Sequence, residues 1–188
     1  EHFALARHAP GTSTSRYLFF PGCQLCASAP AQVKQVYAYL RTTLEDGVAL
    51  MLGCCGAPAH WAGQEALFSE ELARWESQWI GLGRPKPIMA CSTCLRVFRD
   101  HLPEAGAVSL WEVLETTGIP DRDMGLPNGP LAVHDPCTTR HEKQIQAMEE
   151  EMMKQIELES NKVVSEMMDE ECEIDYEKEG AASELCDE

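Results

Sequence analysis

Five short apolar runs punctuate the chain, and four of them end in cysteine. Tyr17–Phe20 leads into Pro21-Gly22-Cys23, and Val48–Leu52 into Gly53-Cys54-Cys55-Gly56. Residues 88–90 lead into Cys91, and residues 131–134 into Asp135-Pro136-Cys137. The remaining run, residues 107–110, carries no cysteine. Between the runs, apolar residues recur at helical spacing: Val33, Val36, Tyr37, Leu40 and Leu44 in residues 31–44, and Leu67, Phe68, Leu72, Trp75 and Trp79 in residues 64–80. Leu95, Phe98 and Leu102 repeat the pattern in residues 94–102, and residues 111–117 continue it. Short buried runs alternating with amphipathic helices predict an α/β domain with a mostly parallel sheet and flanking helices. In such a sheet, ligands bind outside the carboxyl ends of the strands. Cysteines far apart in sequence are therefore expected at one edge.

The chain has nine cysteines, at 23, 26, 54, 55, 91, 94, 137, 172 and 186. An odd count, in a chain that is 44% hydrophobic, argues against a secreted disulfide scaffold and for reduced thiols in a cytoplasm. The spacing is C-x30-CCG-x35-CxxC, five sulfurs on three strand ends. A structural zinc ion takes four ligands in a tetrahedron, usually from paired CxxC hooks. Two adjacent thiolates serve two metal atoms, or bridge them, more readily than they chelate one. A polynuclear iron–sulfur centre fits this set better than a lone ion. Gly56, lacking a Cβ, is expected to let the loop close tightly around such a cluster. Two alternatives stay open: the same cysteines holding zinc in a structural or assembly protein, and Cys91-Ser92-Thr93-Cys94 acting as a metal-free dithiol at a helix start.

The residues FPGC (20–23), GCCGAP (53–58), CSTC (91–94) and HDPC (134–137) together resemble the CCG domain, the cysteine-rich domain found in the B-type component of heterodisulfide reductase and in related iron–sulfur oxidoreductases. The resemblance implies a Rossmann-like CCG domain over residues 17–141. It implies a noncubane [4Fe–4S] cluster held by Cys23, Cys54, Cys55, Cys91 and Cys94, with zinc as the alternative seen in some relatives. It also implies an oxidoreductase subunit in a hetero-complex, taking electrons from a flavoprotein or ferredoxin-like partner and passing them to a disulfide or another organic acceptor. The family commonly carries the motif twice. HDPC looks like the start of a second copy, which makes Cys137 a further candidate ligand, but no second CCG or CxxC follows it.

Other residues have blander readings. Cys26, one turn beyond Cys23, is read as a small core residue with sixth-ligand potential, and Cys172 and Cys186, in acidic surroundings, as non-ligands. His60 and Trp61 are candidates for screening a cluster from water. His134 and Asp135 are either a proton-handling pair or a strand end and its turn. Trp75 and Trp79 are expected in the core. Residues 1–16 read as a lead-in or linker, and Glu1 in place of Met fits a processed chain or a piece of a longer one. Residues 142–188 change character. From residue 143 on there are 16 acidic and 4 basic residues, so this stretch holds −12 of the net −16. Ile145, Met148, Met152, Ile156, Val163 and Met167 predict an acidic amphipathic helix, either packed on its own domain or offering a Met-rich face and its charge to a partner. No basic stripe supports nucleic-acid binding. No apolar run approaches the roughly 18 residues of a membrane span, and no signal peptide is apparent.

Overall fold

The strand β2 (Tyr17–Phe20) lies at the centre of a five-stranded sheet of order β1-β3-β2-β4-β5. The other strands are β1 (Leu5–Arg7), β3 (Val48–Leu52), β4 (Lys86–Met89) and β5 (Val108–Ser109). The computed structural model describes residues 5–118 and positions 138, 143, 146–148, 150, 151, 153 and 154. The expected strand at 131–134, the residues His134, Asp135, Cys137, Cys172 and Cys186, and most of the expected acidic helix lie outside the described residues.

Strand β2 pairs in parallel with β3 on one side, Phe19 opposite Leu50, and with β4 on the other, Phe19 opposite Ile88. Strand β5 extends the parallel array beside β4. Strand β1 runs antiparallel along β3, so a stretch expected to be an irregular lead-in caps the edge of the sheet. Three residues with one apolar-polar alternation are too short for a periodicity to reveal. The chain leaves β2 through α1 (Cys23–Ser28) and α2 (Pro30–Thr43) to reach β3. It returns through α3 (Ala57–Trp61) and α4 (Glu65–Gly81) to β4, on the opposite side of β2. Helix α5 (Ser92–His101) and a single 3-10 turn at Pro103–Ala105 then lead to β5 and α6 (Leu110–Thr117). The winding direction reverses across β2, so the carboxyl ends of β2, β3 and β4 face one crevice at a topological switch point.

Alternation along the strands separates two cores. Leu18, Phe20, Ala49, Met51 and Met89 face α4 and α5, whose Phe68, Trp75, Trp79, Leu95 and Phe98 cover them. Phe19, Val48 and Ile88 face the opposite layer, against Val33 and Leu40 of α2 and Val113 of α6. Trp75 and Trp79 are buried as expected, and the Trp79 indole N–H donates to the Pro85 carbonyl at 2.7 Å. Helix α6 starts with a capping box: the Ser109 hydroxyl accepts from the Trp111 N–H and the Glu112 carboxylate from the Ser109 N–H.

The first core centres on Phe20, whose ring meets those of Trp75 and Phe98 edge-on, at centroid distances of 6.2 and 5.8 Å. Trp75 and Phe98 are 4.3 Å apart. Such pairs add about 0.5–1.5 kcal/mol each beyond their burial. This aromatic knot fastens α4 and α5 directly beneath the loops that carry the cysteines. Phe98→Ala is expected to lower stability by about 3–5 kcal/mol, read as a lower urea midpoint with an unchanged m value.

Candidate functional site

Strands β2, β3 and β4 each deliver sulfur just beyond the point where they stop. After β2, Pro21 and Gly22 turn the chain so that Cys23 opens α1. After β3, Gly53 leads to Cys54 and Cys55, and Gly56 turns the chain into α3. After β4, Cys91 caps α5, and Cys94 follows in its first turn. All six cysteines from 23 to 94 are free thiols. Cys55 and Cys94 are buried, Cys54 and Cys91 half-buried, and Cys23 exposed.

The five predicted cysteines gather at this edge, and the sulfurs of two of them are in contact. The Cys23 thiol lies 3.8 Å from the Cys54 sulfur. Cys55 follows Cys54 directly in the chain, and Cys94 lies near enough to Cys55 and Cys91 to perturb both thiols. The result is a run, Cys23–Cys54–Cys55–Cys94–Cys91, crossing the carboxyl ends of three adjacent strands. Among the described residues no group of three or more His, Cys, Asp or Glu is placed to hold a metal ion. Cys26 stands apart from the run, half-buried against the core on the α2 side.

Protons are unequally shared along this run. Cys55 is held well below the usual thiol range because Cys54 and Cys94 donate to it, with help from backbone N–H groups and against its burial. Cys54 is correspondingly pushed up by the bond to Cys55 and by burial, opposed by the Gly56 N–H, whose nitrogen lies 3.4 Å from its sulfur. Cys94 is raised most by its bond to Cys55, then by that to Cys91 and by burial. Cys91 is lowered to about 6 by the Cys94 thiol, with smaller help from the Cys94 and Thr93 backbone N–H groups. A thiol has one proton to give, so Cys94 serves Cys55 or Cys91 but not both at once.

Two glycines make the close approach possible. Gly22 sits at φ 83°, ψ 160°, a region essentially reserved for glycine. A Cβ there would lie 3.1 Å from the Cys94 sulfur and 3.2 Å from the Cys91 Cβ, so the β2 turn rests directly on the CxxC loop. This role of Gly22 is not readable from FPGC alone; only the Pro-Gly pair hints at a turn. Gly56, expected to make room for a cluster, is required for another reason. Its φ is 82°, and a Cβ would come within 2.8 Å of the Phe68 ring, on the α4 side.

His60 and Trp61 do different things. His60 packs with Phe68 and His101 at centroid distances of 4.7 and 5.4 Å. Its Nδ1 is 3.3 Å from Glu65 Oε1, within ion-pair range but not aligned for a hydrogen bond. Trp61 is 67% exposed. Cys137 lies outside the described residues. Thr138 is described, and its hydroxyl donates at 2.8 Å to that of Ser92, the residue following Cys91. A cavity of about 300 Å³ lined by Glu76, Trp79, Arg84, Lys86, Glu104 and Ala105 holds none of the cysteines.

Residues 17–99 match the family model described as the CCG cysteine-rich domain, a span that includes every sulfur of the run. This stretch is a CCG domain. No curated protein and no solved structure shows a significant match to the chain. The CCG domain here is an α/β unit whose cysteines sit at the strand ends, the disposition expected of a metal-binding or redox site. Among its described residues no helix is long and apolar enough to cross a membrane.

Gly22→Ala is expected to destabilise the domain by about 1–3 kcal/mol through its backbone conformation, and to displace the Cys94 sulfur. Urea denaturation checks the first effect. In metal-free protein, iodoacetamide labelling of Cys91 is expected to rise with pH through a midpoint of about 6, followed by fragmentation mass spectrometry. A midpoint in the ordinary thiol range would mean that Cys94 does not hold the Cys91 thiolate.

Proposed function

We propose that the CCG domain holds an iron–sulfur cluster through Cys23, Cys54, Cys55, Cys91 and Cys94, and serves as an electron-transferring subunit of a heterodisulfide reductase-like oxidoreductase. The observation that carries this reading is the run of five thiols at the switch-point edge. The donor set fits the group: it is all thiol, the soft ligand that iron–sulfur centres take. The vicinal pair sits in the middle of the run, where two metal atoms have to be served by one loop.

Such a cluster, when bound, takes up and releases electrons singly. The chain's own residues set the conditions. Binding requires thiolates, and Cys55 and Cys91 are already biased that way by their neighbours. Cys54 and Cys94 carry the protons that have to leave. Backbone N–H groups of Gly56, Ala57 and Thr93 point at these sulfurs and would tune a potential. Burial of Cys55 and Cys94 keeps water from the middle of the run, while the exposed Cys23 marks the side open to a redox partner. That partner, in this reading, is a flavoprotein or ferredoxin-like protein, and the acceptor a disulfide or another organic molecule. Cys137 is a candidate for a further sulfur in the same reading.

Anaerobic purification with metal and sulfide analysis and EPR tests the proposal. Iron with acid-labile sulfide and a paramagnetic signal is the expected result. Zinc without sulfide would replace it with a structural or assembly role, and metal-free protein with a reactive Cys91 would favour a dithiol oxidoreductase. Cys54→Ser and Cys55→Ser are each expected to lower bound iron at least about tenfold, the scale on which even an outer partner of a ligand counts. Unchanged iron in either variant would overturn the ligand assignment.

A further inference from the structure

Cys26 is the one described cysteine outside the run, and its position relative to Cys23 gives it a use. Cys23-Gln24-Leu25-Cys26 is itself a CxxC, wound as the first turn of α1 with the Cys26 N–H donating to the Gly22 carbonyl at 3.2 Å. Residues three apart on a helix are neighbours on one face, with Cβ atoms about 5–6 Å apart. The Cα separation of such a pair falls inside the window of roughly 4.4–6.8 Å that a disulfide spans, while the Cβ separation exceeds the roughly 3.5–4.5 Å it takes, so the first turn of α1 has to tighten for the bond to form. Cys23 is the exposed end of the run, whereas Cys55 and Cys94 are buried. The alternative partner is Cys54, whose sulfur lies 3.8 Å from that of Cys23, and the peptide map below distinguishes the two pairings.

We infer that Cys23 and Cys26 form a reversible dithiol–disulfide pair that reacts with small organic disulfides. The Cys23 thiolate attacks one sulfur of a disulfide RSSR, forming a Cys23–S–S–R bond and releasing RS⁻, which takes up a proton. The Cys26 thiolate then attacks the Cys23 sulfur, the Cys23–Cys26 bond forms, and the second RS⁻ leaves and is protonated. Two cysteine thiols lose two electrons and two protons, and RSSR becomes two RSH. The same step withdraws Cys23 from Cys54. If the five-thiol run holds a cluster, a consequence that rests on the reading proposed above, oxidation of the pair removes its exposed ligand and reports the disulfide pool to the site.

The location of the two cysteines makes the test direct. Trypsin releases residues 17–34 as one peptide carrying only Cys23 and Cys26, and residues 42–74 as another carrying Cys54 and Cys55. The full chain is treated with hydroxyethyl disulfide, alkylated and digested. The expected product is peptide 17–34 without alkyl groups and about 2 Da lighter than its dithiol form. Cys26→Ala, which keeps a small apolar side chain on the α2 face, is expected to stop at the mixed disulfide on Cys23. Peptide 17–34 cross-linked to 42–74, or alkylated at both positions, would overturn the inference. Iron-loaded protein given the same treatment is expected to lose iron, and Cys26→Ala, halted at the mixed disulfide on Cys23, is expected to lose it too but with the hydroxyethyl adduct in place of the loss of about 2 Da. A protein that takes up no iron at all fails the cluster reading while the metal-free peptide result still judges the pair. Bound iron with a fully alkylated peptide 17–34 after metal removal fails the pair alone.

Discussion

The parallel pairing of β2 with β3 on one side and β4 on the other is the constraint from which the site follows. Hydrogen-bonded strands lie about 4.8 Å apart, and all three run in one direction. Whatever residues follow Phe20, Leu52 and Met89 are therefore held within a few strand spacings of one another. The chain puts cysteine at each of these places. The aromatic contacts of Phe20 with Trp75 and Phe98 keep the helices from parting beneath them.

Gathering thiols at one sheet edge has an electrostatic consequence. Neighbouring thiolates repel, and burial disfavours each of them. The protein meets this by alternation: Cys55 and Cys91 are biased toward thiolate, while Cys54 and Cys94 keep protons and donate them as hydrogen bonds. Such a run is stable as a set of partly ionised thiols and is also ready to exchange its protons for cationic metal. Its ends differ. Cys91 is held by Cys94 and by the start of α5, whereas Cys23 faces solvent with Cys26 one turn away. Chemistry with small molecules is therefore expected at the Cys23 end.

Much of this was legible in the sequence, and for identifiable reasons. Tyr17–Phe20 and Val48–Leu52 are apolar runs bounded by glycine and cysteine, and the structure has β2 and β3 at those residues. The Phe68–Trp75–Trp79 spacing announces α4, because a stripe repeated over several turns has no other economical arrangement. The short elements were not legible. β1, α1 and α3 each span six residues or fewer, less than two helical turns or a full strand alternation. Gly56 shows the same limit from another side. Its need for a missing side chain is evident, and the neighbour a Cβ would meet is Phe68, twelve residues on.

By itself the sequence determined the donor inventory and its chemistry: five thiols in a C-x30-CCG-x35-CxxC pattern, at the ends of runs that can only be buried strands. Local composition is sufficient for that, because periodicity and turn residues act over a few positions. The gathering of these sulfurs was decided only by the tertiary structure. Strand order places β2 between β3 and β4, and Gly22 lies against Cys94, across 72 positions of sequence. Contacts of that range depend on which strands pair and which backbone has no Cβ at the crossing, and neither is a property of any one segment.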